Sequence, residues 1–144
     1  MRKVAVIGSS GAIGRAFVDH YINDLSINSI FSFSRSSIGI DNNKVKHFLI
    51  DIENESSIKN AAKSVEETNF DEIIIASGLL HTNEFGPEKS IKDLKADNIL
   101  KVLNVNTVGP AIIGKYFLPL LNKDNKSVMA FLSARVGSIS ENKL

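Results

Sequence analysis

Gly8, Gly11 and Gly14 recur at intervals of three within Val4-Ala5-Val6-Ile7-Gly8-Ser9-Ser10-Gly11-Ala12-Ile13-Gly14-Arg15. A glycine- and serine-rich turn between a strand and a helix can hold phosphate. The first backbone N–H groups of a helix have no internal partner and carry the positive end of its dipole. Glycine lets a pyrophosphate approach where a Cβ would block it. The chemistry expected of Gly8, Ser10, Gly11, Ile13 and Gly14 is therefore dinucleotide binding. Their spacing is Gly-x-x-Gly-x-x-Gly, not the usual Gly-x-Gly-x-x-Gly fingerprint. The competing reading is a strand-to-helix turn with incidental glycines.

The elements that must position this turn follow from the hydrophobic pattern. Val4 to Ile7 is an unbroken apolar run, as in a strand buried on both faces of a parallel sheet. Ile13, Ala16, Phe17, His20 and Tyr21 then fall at helical spacing. Ser29 to Ser34 reads as a second strand, Gly39 to Lys44 as a polar turn, and Val45 to Ile50 as a third strand closing on Asp51. Ser56 or Ser57 caps a helix whose apolar face is Ile58, Ala61, Ala62 and Val65. Asp71 to Gly78 carries a fourth strand, and Leu79 to Lys89 is a loop punctuated by Gly86-Pro87. Ser90 to Asp93 has a capping-box pattern. A long helix from about Ala96 to Leu121 follows, with a kink expected at Gly109-Pro110. Ser127 to Ser133 is a fifth strand, and Ala134 to Leu144 looks irregular.

Strands alternating with helices predict an α/β fold: a Rossmann-type, doubly wound parallel sheet of order 3-2-1-4-5 with right-handed crossovers. The ligand crevice then lies at the carboxyl ends of strands one and four, beside Gly8 to Gly14 and Ser77-Gly78. In such folds the end of the second strand meets the adenosine ribose. An acid there accepts from a free 2′-hydroxyl, and an arginine favours a 2′-phosphate. Ser34 and Arg35 hold that position with no acid in reach, and Arg15 follows the last glycine. Two guanidinium groups near one expected phosphate favour NADP over NAD. As solvated surface arginines they would carry no such meaning. Asp51 reads either as an acceptor for the adenine amino group or as a carboxylate capping the helix behind it.

A length of 144 residues predicts one domain, residues 1–144, with a core that needs no staples. Hydrophobic residues at 43% and charged residues at 23% describe an ordinary globular chain. The formal net charge of +1 gives no electrostatic case for nucleic acid or an anionic membrane. The absence of cysteine excludes disulfides and cysteine metal sites and fits a reducing cytoplasm. The apolar run after Met1-Arg2-Lys3 breaks at Gly8, too soon for a signal peptide. No stretch approaches the roughly eighteen apolar residues of a membrane span.

Taken in order, Gly8 to Gly14, Arg35, Asp51, Ala76-Ser77-Gly78, Val105-Asn106-Thr107-Val108-Gly109-Pro110 and Ser133-Ala134-Arg135-Val136-Gly137-Ser138 resemble the short-chain dehydrogenase/reductases. Gly78-Leu79-Leu80-His81 and the Ser133 to Ser138 stretch look most like the C-factor and carbonyl-reductase branch. The resemblance implies hydride transfer between a nicotinamide and a small carbonyl or alcohol. It implies that Asn106 holds a water and the local backbone. It also implies a serine hydrogen-bonded to the substrate oxygen, with Ser133 the candidate and Ser138 the runner-up. The family's Asn-Asn-Ala-Gly is Ile75-Ala76-Ser77-Gly78 here, so its cofactor-side asparagine is missing. His81 looks like a loop residue, and His20 and His47 have no partner pattern.

The family's proton donor is the tyrosine of Tyr-x-x-x-Lys, whose lysine lowers the tyrosine pKa and holds the nicotinamide ribose. Tyr21 is followed four residues on by Leu25, and Tyr116 by Leu120, so neither fits. The resemblance thus implies the N-terminal, cofactor-binding part of a larger fold, truncated before that motif, the sixth and seventh strands and the substrate loop. Val128 to Leu132 would then form an exposed apolar edge, with Ile112, Ile113, Tyr116 and Phe117 an exposed patch. Self-association or a complementing chain is expected. Two functions follow: an NADP-dependent oxidoreductase completed from elsewhere, or a catalytically silent dinucleotide-binding module.

Overall fold

The computed structural model describes residues 1–134, 137, 138 and 140. In chain order the elements are β1 (Arg2–Ile7), α1 (Ala12–Asn23), β2 (Ile27–Ser34), β3 (Val45–Leu49), α2 (Glu55–Lys63), β4 (Glu72–Ile75), α3 (Ala96–Leu103), α4 (Gly109–Phe117) and β5 (Val128–Phe131). The five strands form one sheet of order β3-β2-β1-β4-β5, as expected. Every pairing is parallel. β1 lies at the centre, with Val6 opposite Ser32 on one side and Ile74 on the other. Val4, Ala5, Val6 and Ile7 are all fully buried, which is why the run is continuously apolar.

Alternate residues of these strands feed two cores. On one face Ala5, Ile7, Phe31, Phe33 and Phe70 pack with Ile58, Ile113 and Phe117 from α2 and α4. Phe33 meets Phe117 edge-on at 5.3 Å, and Phe31 meets Phe70 edge-on at 5.0 Å. Each such pair adds about 0.5–1.5 kcal/mol beyond the area it buries. On the other face Val4, Val6, Ile30 and Ile74 lie under Val18 and Tyr21 of α1.

The buried face of α1 agrees with the expected one only at Tyr21 and the partly buried Phe17. Gly14, Val18 and Tyr21 are buried, while Ile13, Ala16 and His20 are exposed. The cause is Gly14. A Cβ there would stand 2.2 Å from the Gly8 carbonyl oxygen, so the helix rests its glycine on the turn. The line of positions 14, 18 and 21 then faces the sheet.

α2 is capped by Asn54, whose Oδ1 accepts from Ser57 N–H at 3.2 Å, in place of the expected Ser56 or Ser57. Ser57 instead turns its Oγ to accept from Asp51 N–H at 2.9 Å. The expected long helix is interrupted. α3 passes into a widened π turn over Asn104–Val108, and Gly109 N–H bonds back to the Asn104 carbonyl. Pro110 contributes no N–H to the next turn, so the ladder loosens immediately upstream of it. A 3-10 turn, Leu118–Leu120, closes the helical stretch. Ile113 and Phe117 are fully buried, and Ile112 and Tyr116 pack on the same core, so the patch expected on this helix is not formed by them. The edge strand matches expectation: Val128, Phe131 and Leu132 are exposed. No helix among the described residues is long and apolar enough to cross a membrane.

Candidate functional site

The glycine turn is fixed by backbone bonds to the neighbouring strand. Gly8 and Ser9 both donate to the Phe33 carbonyl, at 2.9 and 3.1 Å. Ser9 Oγ also donates to that carbonyl at 3.1 Å and lies 2.8 Å from Ser32 Oγ, fully buried. Gly8 has φ of +89°, and a Cβ on it would stand 2.7 Å from Ser77 N. The turn therefore lies directly against the end of β4. Gly11 N–H closes the turn onto the Gly8 carbonyl at 3.1 Å, and Gly11 then N-caps α1. No side chain caps this end and no acid stands in the first turn. Its leading N–H groups are left for an outside anion.

A cleft of about 540 Å³ opens at the carboxyl ends of β1 and β4. Gly8, Ser10 and Gly11 form one wall, and Ala76, Ser77 and Gly78 another. Ser34 and Arg35 line it at the end of β2, and Asp51, Ile52 and Glu53 at the end of β3. Lys101 and Val105 close the side toward α3. Ser77 Oγ is buried here and has no hydrogen-bond partner among the described residues. A buried hydroxyl that no protein group satisfies can bond a water or a ligand in the cleft.

The cleft also corrects an expectation. Two carboxylates, Asp51 and Glu53, share it with Arg35. Asp51 does not cap α2. Its Oδ1 accepts from Glu53 N–H at 3.1 Å. Glu53 Oε1 takes Lys101 Nζ at 2.7 Å and Asn104 Nδ2 at 3.4 Å. The Lys101 hydrogen bond holds the Glu53 carboxyl below its ordinary range against the opposing effect of burial, and the charge of Arg35 adds to the lowering. Sequence reasoning missed both Glu53 and Lys101. Each belongs to a segment read for other residues, and only folding brings the two together.

Asn106, on the π turn, grips the loop after β4. Its Nδ2 donates to the Leu79 carbonyl and its Oδ1 accepts from Leu79 N–H, both at 2.7 Å. Arg15 turns outward: Nε meets both Asp19 oxygens at 3.0 and 3.2 Å, and Nη1 donates to the Ile38 carbonyl at 3.0 Å. Ile13 is 59% exposed and lies outside the cleft lining, and Gly14 supports the turn from below. Ser133 is exposed beyond the end of β5, also outside the lining. Ser138 Oγ lies 3.1 Å from Ser140 Oγ. Arg135 and Val136 of the same stretch fall outside the described residues. His81 is exposed on the loop after β4. The fold thus gathers Gly8, Ser10, Gly11, Arg35, Asp51, Ser77 and Gly78 at one cleft, and Asn106 fixes its edge.

No family model matches the chain. Among solved structures, NADPH-bound carbonyl reductase from chicken fatty liver superposes with a TM-score of 0.84 at 23% identity, over 97% of this chain and 60% of that one. The fold is that of the short-chain dehydrogenase/reductases. A short-chain dehydrogenase/reductase from Burkholderia multivorans with bound NADP gives 0.84 at 16% identity, over 99% of this chain and 63% of its own. A short chain dehydrogenase family protein from Francisella tularensis gives 0.81 at 21%, over 96% and 53%. Among curated proteins, UDP-glucose 4-epimerases from two strains of Rickettsia bellii are 29% identical over 78% of this chain. The chain spans only 36% of the length of those relatives. Within this short-chain dehydrogenase/reductase fold, the cleft occupies the point where strand order reverses between β1 and β4. Open α/β sheets bind ligands at such points.

Proposed function

We propose that the chain binds a nicotinamide dinucleotide, NADP in preference to NAD, as the cofactor-binding part of a short-chain dehydrogenase/reductase. The observation that carries this reading is the uncapped amino end of α1, which opens through Gly11 onto the cleft. The orphaned Ser77 Oγ on the facing wall supports it. Gly8, Ser10 and Gly11 would hold the pyrophosphate, Arg35 the 2′-phosphate and Asp51 the adenine amino group, with Ser77 and Gly78 along the middle of the cofactor. When bound, the nicotinamide supplies or accepts a hydride. Asn106 holds the loop backbone beside it, and we assign the hydrogen bond to a carbonyl or alcohol oxygen to Ser133.

The proton donor is not among the tyrosines of this sequence. Tyr21 hydroxyl donates to Glu72 at 2.5 Å at the far end of the sheet, and burial pushes its pKa up. Tyr116 hydroxyl donates to Glu55 at 2.9 Å, beyond the cleft lining. Loss of a general acid costs ~10²–10⁴-fold in rate. The 144 residues are accordingly read as one dinucleotide-binding unit, near-silent alone, that gains activity from a tyrosine and lysine supplied by another segment or chain. A cytoplasmic setting fits the absence of cysteine.

Fluorescence titration with NADPH and then NADH tests the reading. Tighter binding of NADPH is expected, and Arg35→Ala should erase most of that preference, about tenfold. A folded chain that binds neither nucleotide overturns it.

A further inference from the structure

Arg35 is not the only charge at the adenosine end of the cleft. Lys101 and Glu53 line the same cavity, and so does Asp51. With Glu84 from the loop after β4, the cavity is lined by two cations and three carboxylates. The ion pair between Lys101 and Glu53 joins the turn after β3 to α3 across the side of the cleft, at 2.7 Å. Its carboxylate is the more buried partner, with 22% of the side chain exposed against 47% for the lysine. Both hydrogen bonds to Glu53 fall on Oε1. The Glu53 side chain is therefore held in place and cannot simply swing clear of an incoming anion.

We propose that Glu53 and Lys101 set the cofactor preference: Glu53 limits the advantage of a 2′-phosphate, and Lys101 restores part of it. This rests on the dinucleotide reading above. A 2′-phosphate brings nearly two negative charges, and the 2′-hydroxyl of NAD brings none. Charges a few ångströms apart at a protein surface interact substantially, and salt screens them. Adding or removing one charge at this end therefore acts more strongly on NADPH than on NADH, whose negative charge lies on the pyrophosphate alone. Arg35 supplies attraction, but a carboxylate held in the same cleft offsets part of its field. The preference is a balance of the charged groups lining the cleft rather than the property of one arginine.

The test is to measure Kd for NADPH and NADH on the wild-type chain, on Glu53→Gln and on Lys101→Met, each at low and at physiological salt. Glutamine keeps the Oε1 acceptor for Lys101 and Asn104, so Glu53→Gln retains the local bonding while removing the charge. It is expected to raise the NADPH-over-NADH preference about three- to tenfold, through the NADPH Kd. Lys101→Met should lower the preference by a similar factor, and both differences should shrink as salt rises. A Glu53→Gln preference equal to wild type, or equal changes for both nucleotides, overturns the inference. In that case sensitivity of the preference to Arg35→Ala leaves the dinucleotide reading standing. A wild-type chain that binds neither nucleotide removes the reading and the inference together.

Discussion

Asn106 satisfies both backbone groups of Leu79 with one planar amide. Truncation leaves that N–H and carbonyl to water and frees the loop wall of the cleft. Asn106→Ala should cost about 1–2 kcal/mol, measured by urea unfolding, with faster hydrogen exchange at the Leu79 amide. Unchanged exchange would show that the loop is held by something else. The residue itself stood out in the sequence through its motif. Its partner did not, because a loop backbone without periodicity gives no sign of where it will be held. His47 is a second case. Its Nδ1 lies 3.3 Å from Ser32 Oγ, its Nε2 is buried without a partner among the described residues, and burial holds its pKa below the ordinary 6.5. The unfolded chain takes up a proton on this imidazole at a higher pH than the fold does. Stability is therefore fully present above the ordinary value and declines as pH falls from there through the folded value. Urea midpoints across that window should decline, and His47→Gln should flatten that part of the slope. A slope that His47→Gln leaves unchanged would place the titration elsewhere.

At the next scale, the segment Asn54-Glu55-Ser56-Ser57 offers three residues that can cap a helix. All three are good caps, so composition alone does not choose. The chain turns after Asp51, and that turn consumes Ser57 Oγ, which leaves Asn54 at the N-cap position. Asn54→Ala should lower stability by about 1 kcal/mol, whereas Ser56→Ala should leave the thermal midpoint in place. Equal losses from the two would return the cap to the serines. α1 shows the same division between what is local and what is not. Its helical period is visible in the sequence, but its phase is set by contact between Gly14 and the Gly8 carbonyl, which lies outside the helix. β1 and β4 were legible because each holds an unbroken run of apolar, mostly β-branched residues that two-sided burial selects. The pairing of Lys101 with Glu53 was hidden for the opposite reason. Lysine and glutamate are common on any helix or turn, and 48 residues separate these two.

For the whole molecule, the order of the sheet followed from the alternation of elements, but the surface it leaves uncovered was read only in part. Ile113 and Phe117 go into the core against Phe33, and exposure falls instead on Leu100 and Leu103 of α3 and on the β5 edge. Val128, Phe131 and Leu132, at 46%, 46% and 41% exposed, lie along and just beyond that edge strand. Apolar edges of this kind pair with other chains. Light scattering of the purified chain should show concentration-dependent association that Phe131→Lys reduces. A wild-type chain that stays monomeric at high concentration would count against an open edge. The central place of β1 has a further consequence, in time rather than in space. Ile7 pairs with Phe33 on one side and with Ile75 on the other. During synthesis the first partner follows soon after Ile7, but the second comes 68 residues later, roughly 3–14 s at ordinary translation rates. Once β2 has been made, a nascent β1–β2 pair carries an unsealed edge of Val, Ala, Val and Ile until β4 follows. The strand that anchors the finished sheet is the one whose second edge waits longest for its partner, so holding that edge soluble during translation is a burden this topology places on the cell.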